Sequence, residues 1–220
     1  MRARAVLAGC ASAVVLAGCT AGPAPAAGSR PAPVLRVSAI GDSVTEADSV
    51  DFGSGRIGAG SWVAHLEGPD VAVVGGWAVS GSTTADMVAG ARGIPAADVL
   101  VLMGGTNDVR TGVPLATTLA DLTTLGEQNE ADVVLLCSVV PSSDFLEGTE
   151  ALNAAFPALA RTNGWEYADC AGTVRERDGD WVGGASPDGV HPSRAAATEI
   201  GAVVLARLRE LVSDGLVSAG

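Results

Sequence analysis

Residues 34–44, Val-Leu-Arg-Val-Ser-Ala-Ile-Gly-Asp-Ser-Val, place a short apolar run directly before a polar turn that begins with glycine. The run Val34–Ile40 is rich in β-branched residues and predicts a buried strand, after which Gly41, Asp42 and Ser43 would follow. Similar apolar runs recur along the chain, and each predicts a further strand. They are Val71–Val74, Val99–Met103, Val133–Val140 and Trp165–Ala168.

Segments with helical character lie between and after these runs. In the last of them, apolar residues recur at three- and four-residue steps, an apolar stripe that only Arg207 interrupts, and Pro192 is placed to start this helix. Apolar strands alternating with helices predict a parallel sheet covered on both faces. We therefore expect an α/β fold, a three-layer α/β/α sandwich with a central parallel sheet of about five strands. The predicted helices are Thr84–Ala91, Pro114–Asn129, Glu150–Thr162 and Ser193–Leu211.

Four polar, glycine-rich segments lie where an open α/β sheet places its binding sites, outside the carboxyl ends of the strands. Three of them directly follow predicted strands, and the fourth lies in the irregular stretch before the last helix. We expect all four to meet at one edge of the sheet. They are Gly41–Val44, Ala78–Ser82, Gly104–Asp108 and Ser186–Pro192.

The residue types in these segments fit acyl transfer by a serine hydroxyl. This chemistry needs a base near neutral pH, a carboxylate to orient that base and N–H donors for the oxyanion. The chain has two histidines. His191 follows Asp188 by three residues, so the carboxylate can reach one ring nitrogen while the other faces a serine. His65 lies in a helix-like stretch, which is more typical of a packed or surface residue.

Together these segments resemble the four sequence blocks of the SGNH hydrolases, also called GDSL esterases and lipases. The resemblance covers residues 36–212 and implies the flavodoxin-like fold of that family. It also implies a catalytic triad, with Ser43 as the nucleophile, His191 as the base and Asp188 as the orienting carboxylate. The blocks are Gly41-Asp42-Ser43, the turn at Gly81, Gly105-Thr106-Asn107-Asp108 and Asp188-x-x-His191.

The same resemblance implies the groups of an oxyanion hole. They are the backbone N–H groups of Ser43 and Gly81 and the side-chain amide of Asn107. Glycine suits position 81, because a residue without a side chain lets a substrate carbonyl approach its N–H closely. Asp42 matches a structural aspartate of the family and not the triad member.

Some features depart from the family pattern or stay open. The chain reads Gly75-Gly76-Trp77-Ala78 where the family often has an asparagine, and Gly-Asp-Ser-Val where Gly-Asp-Ser-Leu is commoner. It contains no Gly-x-Ser-x-Gly, which disfavours an ordinary α/β-hydrolase. Trp77 and Trp181 are candidates either for lining a substrate pocket or for packing. No role can be selected from the sequence for Asp48, Asp51 and Arg56.

The N-terminal residues predict export. Arg2 and Arg4 precede an apolar run that is too short to span a bilayer but fits a secretory signal. The run ends in Leu16-Ala17-Gly18-Cys19, which resembles a bacterial lipobox and implies a lipoprotein signal peptide of residues 1–18 with Cys19 as the lipidated residue. The alternatives are an ordinary signal with a chance cysteine, or the similar motif ending at Cys10. Residues 19–33, rich in Pro, Ala and Gly, predict a tether to a hydrolase domain of residues 34–220.

Composition and cysteine usage exclude some classes of function. A net charge of −12 without a basic stripe argues against nucleic acid as a partner. No Cys or His pair has the spacing of metal ligands, so we expect no metal and no cofactor. Cys137 and Cys170 fall near the ends of predicted strands and are either a disulfide or two buried thiols. No obligate protein partner is evident.

The sequence thus predicts a serine hydrolase that cleaves carboxylic esters through an acyl-enzyme on Ser43. A lipid anchor at Cys19 would hold it on the outer face of the bacterial cell membrane, or the protein would be secreted. The substrates would be small or polymer-attached esters. Two alternatives remain at this point: an acyltransferase with a sugar or alcohol acceptor, and a catalytically silent module that binds glycan.

Overall fold

The computed structural model describes residues 34–219. A five-stranded sheet lies at its centre, all its strands are parallel, and their order is β2-β1-β3-β4-β5. The predicted fold class is therefore confirmed. The predicted signal peptide, the predicted lipidation site Cys19 and the predicted tether fall outside the described residues. The strands are β1 Leu35–Gly41, β2 Val71–Ala78, β3 Ala97–Met103, β4 Ala131–Cys137 and β5 Glu166–Ala168.

Six α-helices occur in residues 34–219. The four longer predicted helices are all present, with ends that differ by a few residues from those expected. Two short helices, α1 and α3, begin directly after the carboxyl ends of β1 and β3 and were not predicted as helices. The six are α1 Ser43–Glu46, α2 Thr84–Gly90, α3 Thr106–Thr111, α4 Leu115–Gln128, α5 Leu146–Asn163 and α6 Arg194–Ser213.

The sheet separates two apolar cores, as the three-layer prediction requires. In β3, Val99 and Val101 face one core and Leu100 and Leu102 face the other, because side chains alternate along a strand. The first core includes the buried stripe of α6, and the second includes buried residues of α4 and α5. Arg207, the polar residue in the α6 stripe, pairs with Glu166 of β5 at 2.6 Å. The charge is thus neutralised at the edge of the sheet.

Several predicted boundaries were wrong, and β2, expected to end at Val74, continues to Ala78. Pro192 does not begin α6; Ser193 caps the helix, and its hydroxyl accepts a hydrogen bond from the N–H of Ala196. The strand expected to reach Val140 ends at Cys137. Beyond it, the side chain of Asn153 bonds both the N–H and the carbonyl of Val139, which takes this backbone out of the sheet.

Cys137 and Cys170 form a disulfide, with their Cα atoms 5.4 Å apart. The sequence left this pairing open. The bond is possible because β4 and β5 are neighbours, so that Cys137 at the end of β4 lies beside the loop that follows β5.

Candidate active site

Ser43 lies at the sharp turn between β1 and α1. Asp42 caps the helix, since its side chain accepts a hydrogen bond from the N–H of Val44 at 3.0 Å. Gly41 is required at the end of the strand because a Cβ atom there would collide with Thr45 and with the carbonyl of Met103. The turn therefore holds Ser43 at the carboxyl edge of the sheet, as the sequence predicted.

The structure brings Ser43, His191 and Asp188 together in one hydrogen-bonded chain. His191 Nε2 lies 2.9 Å from Ser43 Oγ, although the two residues are 148 positions apart in the sequence. His191 Nδ1 lies 2.7 Å from Asp188 Oδ2. The hydroxyl, the imidazole and the carboxylate have the contacts that a general base and its orienting group require.

Several donors hold the Asp188 carboxylate in its ionised form. Partial desolvation raises the pKa of Asp188, but hydrogen bonds from the backbone and ring of His191 and from the N–H of Val190 outweigh that effect. The pKa of this carboxyl therefore lies well below its usual range. Because the carboxylate is charged wherever a histidine titrates, it stabilises an imidazolium at Nδ1.

Asp42 has a different environment from Asp188. It is fully buried, and desolvation raises its pKa to about 6, although the hydrogen bond from Val44 and the charge of His191 lower it. Oδ2 of Asp42 has no hydrogen-bond partner among residues 34–219. These contacts fit a carboxyl that shapes the turn at Ser43. Asp42 makes no hydrogen bond to His191, which instead bonds to Ser43.

Gly81 occupies a tight turn after β2. The N–H of Ser82 donates to the carbonyl of Val79 at 3.2 Å, and Gly81 has φ +80°, as the third residue of a type II turn does. Asn107 begins α3 together with Thr106, and its side-chain amide donates to the carbonyl of Ser82 at 3.0 Å. The amide group has a second hydrogen, which this contact leaves free for a substrate oxygen.

Glu46 is a part of this site that the sequence reasoning missed. Its carboxylate accepts hydrogen bonds from the N–H of Ser80, at 2.7 Å, and from the Ser80 hydroxyl. Ser80 directly precedes Gly81, so the helix that begins with Ser43 also holds the turn with the expected oxyanion donor. One signal was available: Glu46 lies three residues after Ser43, on the same face if the segment is helical.

Comparison with known proteins agrees with this geometry. Residues 39–198 match the model of the GDSL-like lipase/acylhydrolase family, which is more than half of the chain. The protein belongs to the GDSL family. The predicted family and the predicted class of enzyme, a carboxylic ester hydrolase, are thereby confirmed. No curated protein sequence matches the chain.

Solved structures share the GDSL fold with this chain at low sequence identity. A G-D-S-L family protein from Desulfitobacterium hafniense has a TM-score of 0.66 at 20% identity, covering 78% of this chain and 98% of that one. A GDSL-like lipase from Bacteroides thetaiotaomicron has a TM-score of 0.63 at 18% identity, with 80% and 88% covered. A variant of an acetyl xylan esterase from Geobacillus stearothermophilus has a TM-score of 0.64 at 18% identity, with 80% and 95% covered.

A cavity of about 230 Å³ opens beside the Ser43 hydroxyl of the GDSL site. Its volume is below the roughly 300–1,000 Å³ typical of pockets for drug-sized ligands. Apart from the imidazole of His191, the side chains around it are small. They come from α1, the Ser80 turn, the loop after α1 and the start of the segment that leads into α6: Ser43, Val44, Ala47, Gly60, Ser80, His191 and Pro192.

The two tryptophans near the GDSL motifs pack against the protein interior. The ring of Trp77 fills the space that a side chain at Gly90 would need, on the side of the sheet that carries α4 and α5. Trp181 packs against the core on the α6 side. Of the two roles considered for these residues, the observed contacts are those of packing.

His65 and the charged residues after α1 support the loops of the GDSL domain. His65 Nε2 contacts the carbonyl of Ala59 and the hydroxyl of Thr198, both at 3.3 Å. Asp51 caps the turn at residues 52–54 and pairs with Arg56 at 2.9 Å. These side chains fix the loop that forms one side of the cavity.

The structure also reports on metal binding and membrane spans. Within residues 34–219, no group of three or more His, Cys, Asp or Glu side chains is placed to hold a metal ion. In the same part of the chain, no helix is both long and apolar enough to cross a membrane.

Proposed function

We propose that this GDSL enzyme cleaves esters through a covalent acyl-enzyme on Ser43. The single observation that carries the proposal is the hydrogen-bonded chain from Ser43 Oγ through the imidazole of His191 to Asp188, at 2.9 and 2.7 Å. A serine hydroxyl is protonated near neutral pH and is then a weak nucleophile, so it needs an adjacent base to react.

In the first half of the reaction, Ser43 Oγ forms a bond to the ester carbonyl carbon while its proton passes to His191 Nε2. The negative charge moves to the carbonyl oxygen, which the N–H groups of Ser43 and Gly81 and the free amide hydrogen of Asn107 stabilise. The tetrahedral intermediate then loses its alcohol, whose oxygen takes the proton from His191. An acyl group remains on Ser43.

In the second half, a water molecule gives a proton to His191 Nε2 and bonds to the acyl carbon. The bond to Ser43 Oγ then breaks, the proton returns to that oxygen, and the carboxylic acid is released. Asp188 stays ionised throughout and stabilises the imidazolium in each half. The low pKa of its carboxyl fits that role.

A fluorophosphonate probe tests the nucleophile. We expect the wild-type enzyme to be labelled and to hydrolyse a short-chain nitrophenyl ester. Ser43→Ala should abolish both, whereas Ser213→Ala, which removes an exposed hydroxyl at the end of α6, should leave both unchanged. A wild type that neither reacts with the probe nor hydrolyses the ester would refute the proposal and favour a binding module.

We further propose that the enzyme acts outside the cell, held by a lipid on Cys19. The lipobox-like motif supports this location, and so does the Cys137–Cys170 disulfide, because disulfides persist in oxidising compartments. A lipid anchor at the surface would bring the site to esters of wall polymers, of lipids or of the medium.

Metabolic labelling with a fatty-acid analogue tests the anchor. The full chain, expressed in a bacterium, should incorporate the label, and Cys19→Ser should abolish incorporation. Cys10→Ser is the matched control, because it removes the cysteine of the similar upstream motif and should leave labelling intact. Labelling that survives Cys19→Ser would contradict the proposed anchor.

A further inference from the structure

The backbone at Ala47 has an unusual conformation. Ala47 directly follows α1 and has φ +48° and ψ −125°, and within residues 34–219 it is the one residue other than glycine with a positive φ. A Cβ atom is disfavoured in this conformation, whereas glycine adopts it without cost. The alanine is therefore a strained residue, and strain of this kind is concentrated at functional sites.

The methyl group of Ala47 lies in the wall of the cavity beside Ser43. Gly60 lies next to Ala47 in that wall, where an added Cβ atom would lie 3.6 Å from the Cβ atom of Ala47. The added atom would also lie 2.9 Å from Asp48 Oδ1, so a side chain at position 60 would displace the Asp48 carboxylate. Where α1 meets the following loop, Gly60 has no side chain, so the methyl group of Ala47 is the side-chain group at this part of the wall.

The wall that carries this methyl group is fixed by hydrogen bonds on both sides. Asp48 accepts the N–H of Gly60 at 2.7 Å and pairs with Arg194 at 3.0 Å. The N–H of Ala47 donates to the carbonyl of Ser43 at 2.9 Å. Because its two neighbouring segments are held in place, Ala47 cannot move aside for a bulky substrate without breaking these contacts.

We propose that the methyl group of Ala47 determines substrate size by limiting the ester substituent that fits beside Ser43. The enzyme then prefers esters with a small acyl or alcohol group, in agreement with the cavity volume of about 230 Å³. This inference rests on the proposed role of Ser43. It makes the strain at position 47 functional: glycine would relieve the strain but would also widen the site.

Ala47→Gly tests the inference through two properties, the unfolding temperature and the preference for substrate size. We expect the variant to unfold at a higher temperature than the wild type, since the strain is removed. Its kcat/KM for a bulky ester, divided by that for a small ester, should rise about 10-fold, because one carbon in a substrate pocket typically changes selectivity by about 10- to 200-fold. One substrate series varies the acyl group and a second varies the alcohol. The series whose size preference changes shows which part of the ester the Ala47 methyl limits.

Ala59→Gly is the matched control. It makes the same chemical change in the loop that contains Gly60, at a residue that does not line the cavity, and should leave both series as in the wild type. If Ala47→Gly gains stability while the size preference stays the same in both series, the inference is wrong. If instead the wild type fails to react with fluorophosphonate and to cleave any ester, the proposed function fails, and the inference fails with it.

Discussion

Breaking the Cys137–Cys170 disulfide should destabilise the domain by a predictable amount. The two cysteines are separated by 33 positions, and the chain-entropy relation gives about 4 kcal/mol for a loop of that length. For a domain of this size, each kcal/mol shifts the unfolding temperature by about 2–4 °C, so the loss corresponds to about 8–16 °C. The expected effect comes mainly from the larger conformational freedom of the reduced unfolded chain.

Thermal unfolding of three samples measures this effect. Oxidised and reduced wild type have the same side chains, so their difference reports the cross-link alone. Cys137→Ala/Cys170→Ala should fall below the reduced protein, because both side chains are fully buried and their removal leaves small cavities. Ester hydrolysis at 25 °C should be retained in all three, since β4 is two strands away from β1 in the sheet. A reduced wild type that unfolds within 2 °C of the oxidised protein would refute the reasoning.

Three further predictions concern the site. Asp188→Asn should lower kcat by about 10³- to 10⁴-fold, since the imidazolium loses its partner; the exposed Asp144→Asn is the control, and a loss below 10-fold would exclude Asp188 from the triad. Glu46→Ala should lower kcat by up to about 100-fold with little change in KM, because Ser80 and the turn at Gly81 lose their anchor. Glu67→Ala is its exposed control, and an unchanged kcat would contradict that role. The pKa of Asp42 is about 6 in the folded protein, against an ordinary value of 3.8. Because the folded state holds this proton more tightly than the unfolded state, the wild type is most stable below about pH 4 and loses stability as the pH rises through 6. Urea unfolding should therefore show that, from pH 4 to pH 8, the free energy of unfolding of Asp42→Asn rises by about 3 kcal/mol relative to that of the wild type. A difference that does not change with pH would show that Asp42 is ionised throughout.

The fold and the reacting groups could be predicted because their signals are local in the sequence. An apolar run such as Val99–Met103 predicts a buried strand wherever it occurs, and Asp188 and His191 are only three residues apart. The order of the sequence blocks predicted that Ser43 and His191, which are 148 positions apart, would lie together. The hydrogen bond of 2.9 Å between them agrees with that prediction.

The features that the sequence did not predict depend on contacts between distant segments. Nothing in Val133–Val140 shows that the side chain of Asn153 will take over the hydrogen bonds of Val139 and end the strand. The disulfide stayed open because it requires β4 and β5 to be neighbours, which strand prediction alone does not establish. Ala47 could not be noticed at all, because a positive φ leaves no mark on an alanine in the sequence.

The contacts of α1 explain how so short a helix can organise a site built from four separate segments. Ser43 bonds to His191 before α6, and Glu46 holds Ser80 in the turn after β2. The helix itself is held from its buried side, where Trp62 Nε1 donates to the Thr45 hydroxyl at 3.1 Å. A four-residue helix has no stability of its own, so its position depends on these tertiary bonds. The position of Ser43, its contact with His191 and the turn at Gly81 therefore depend on the position of α1, and a change that displaces α1 affects all three at once.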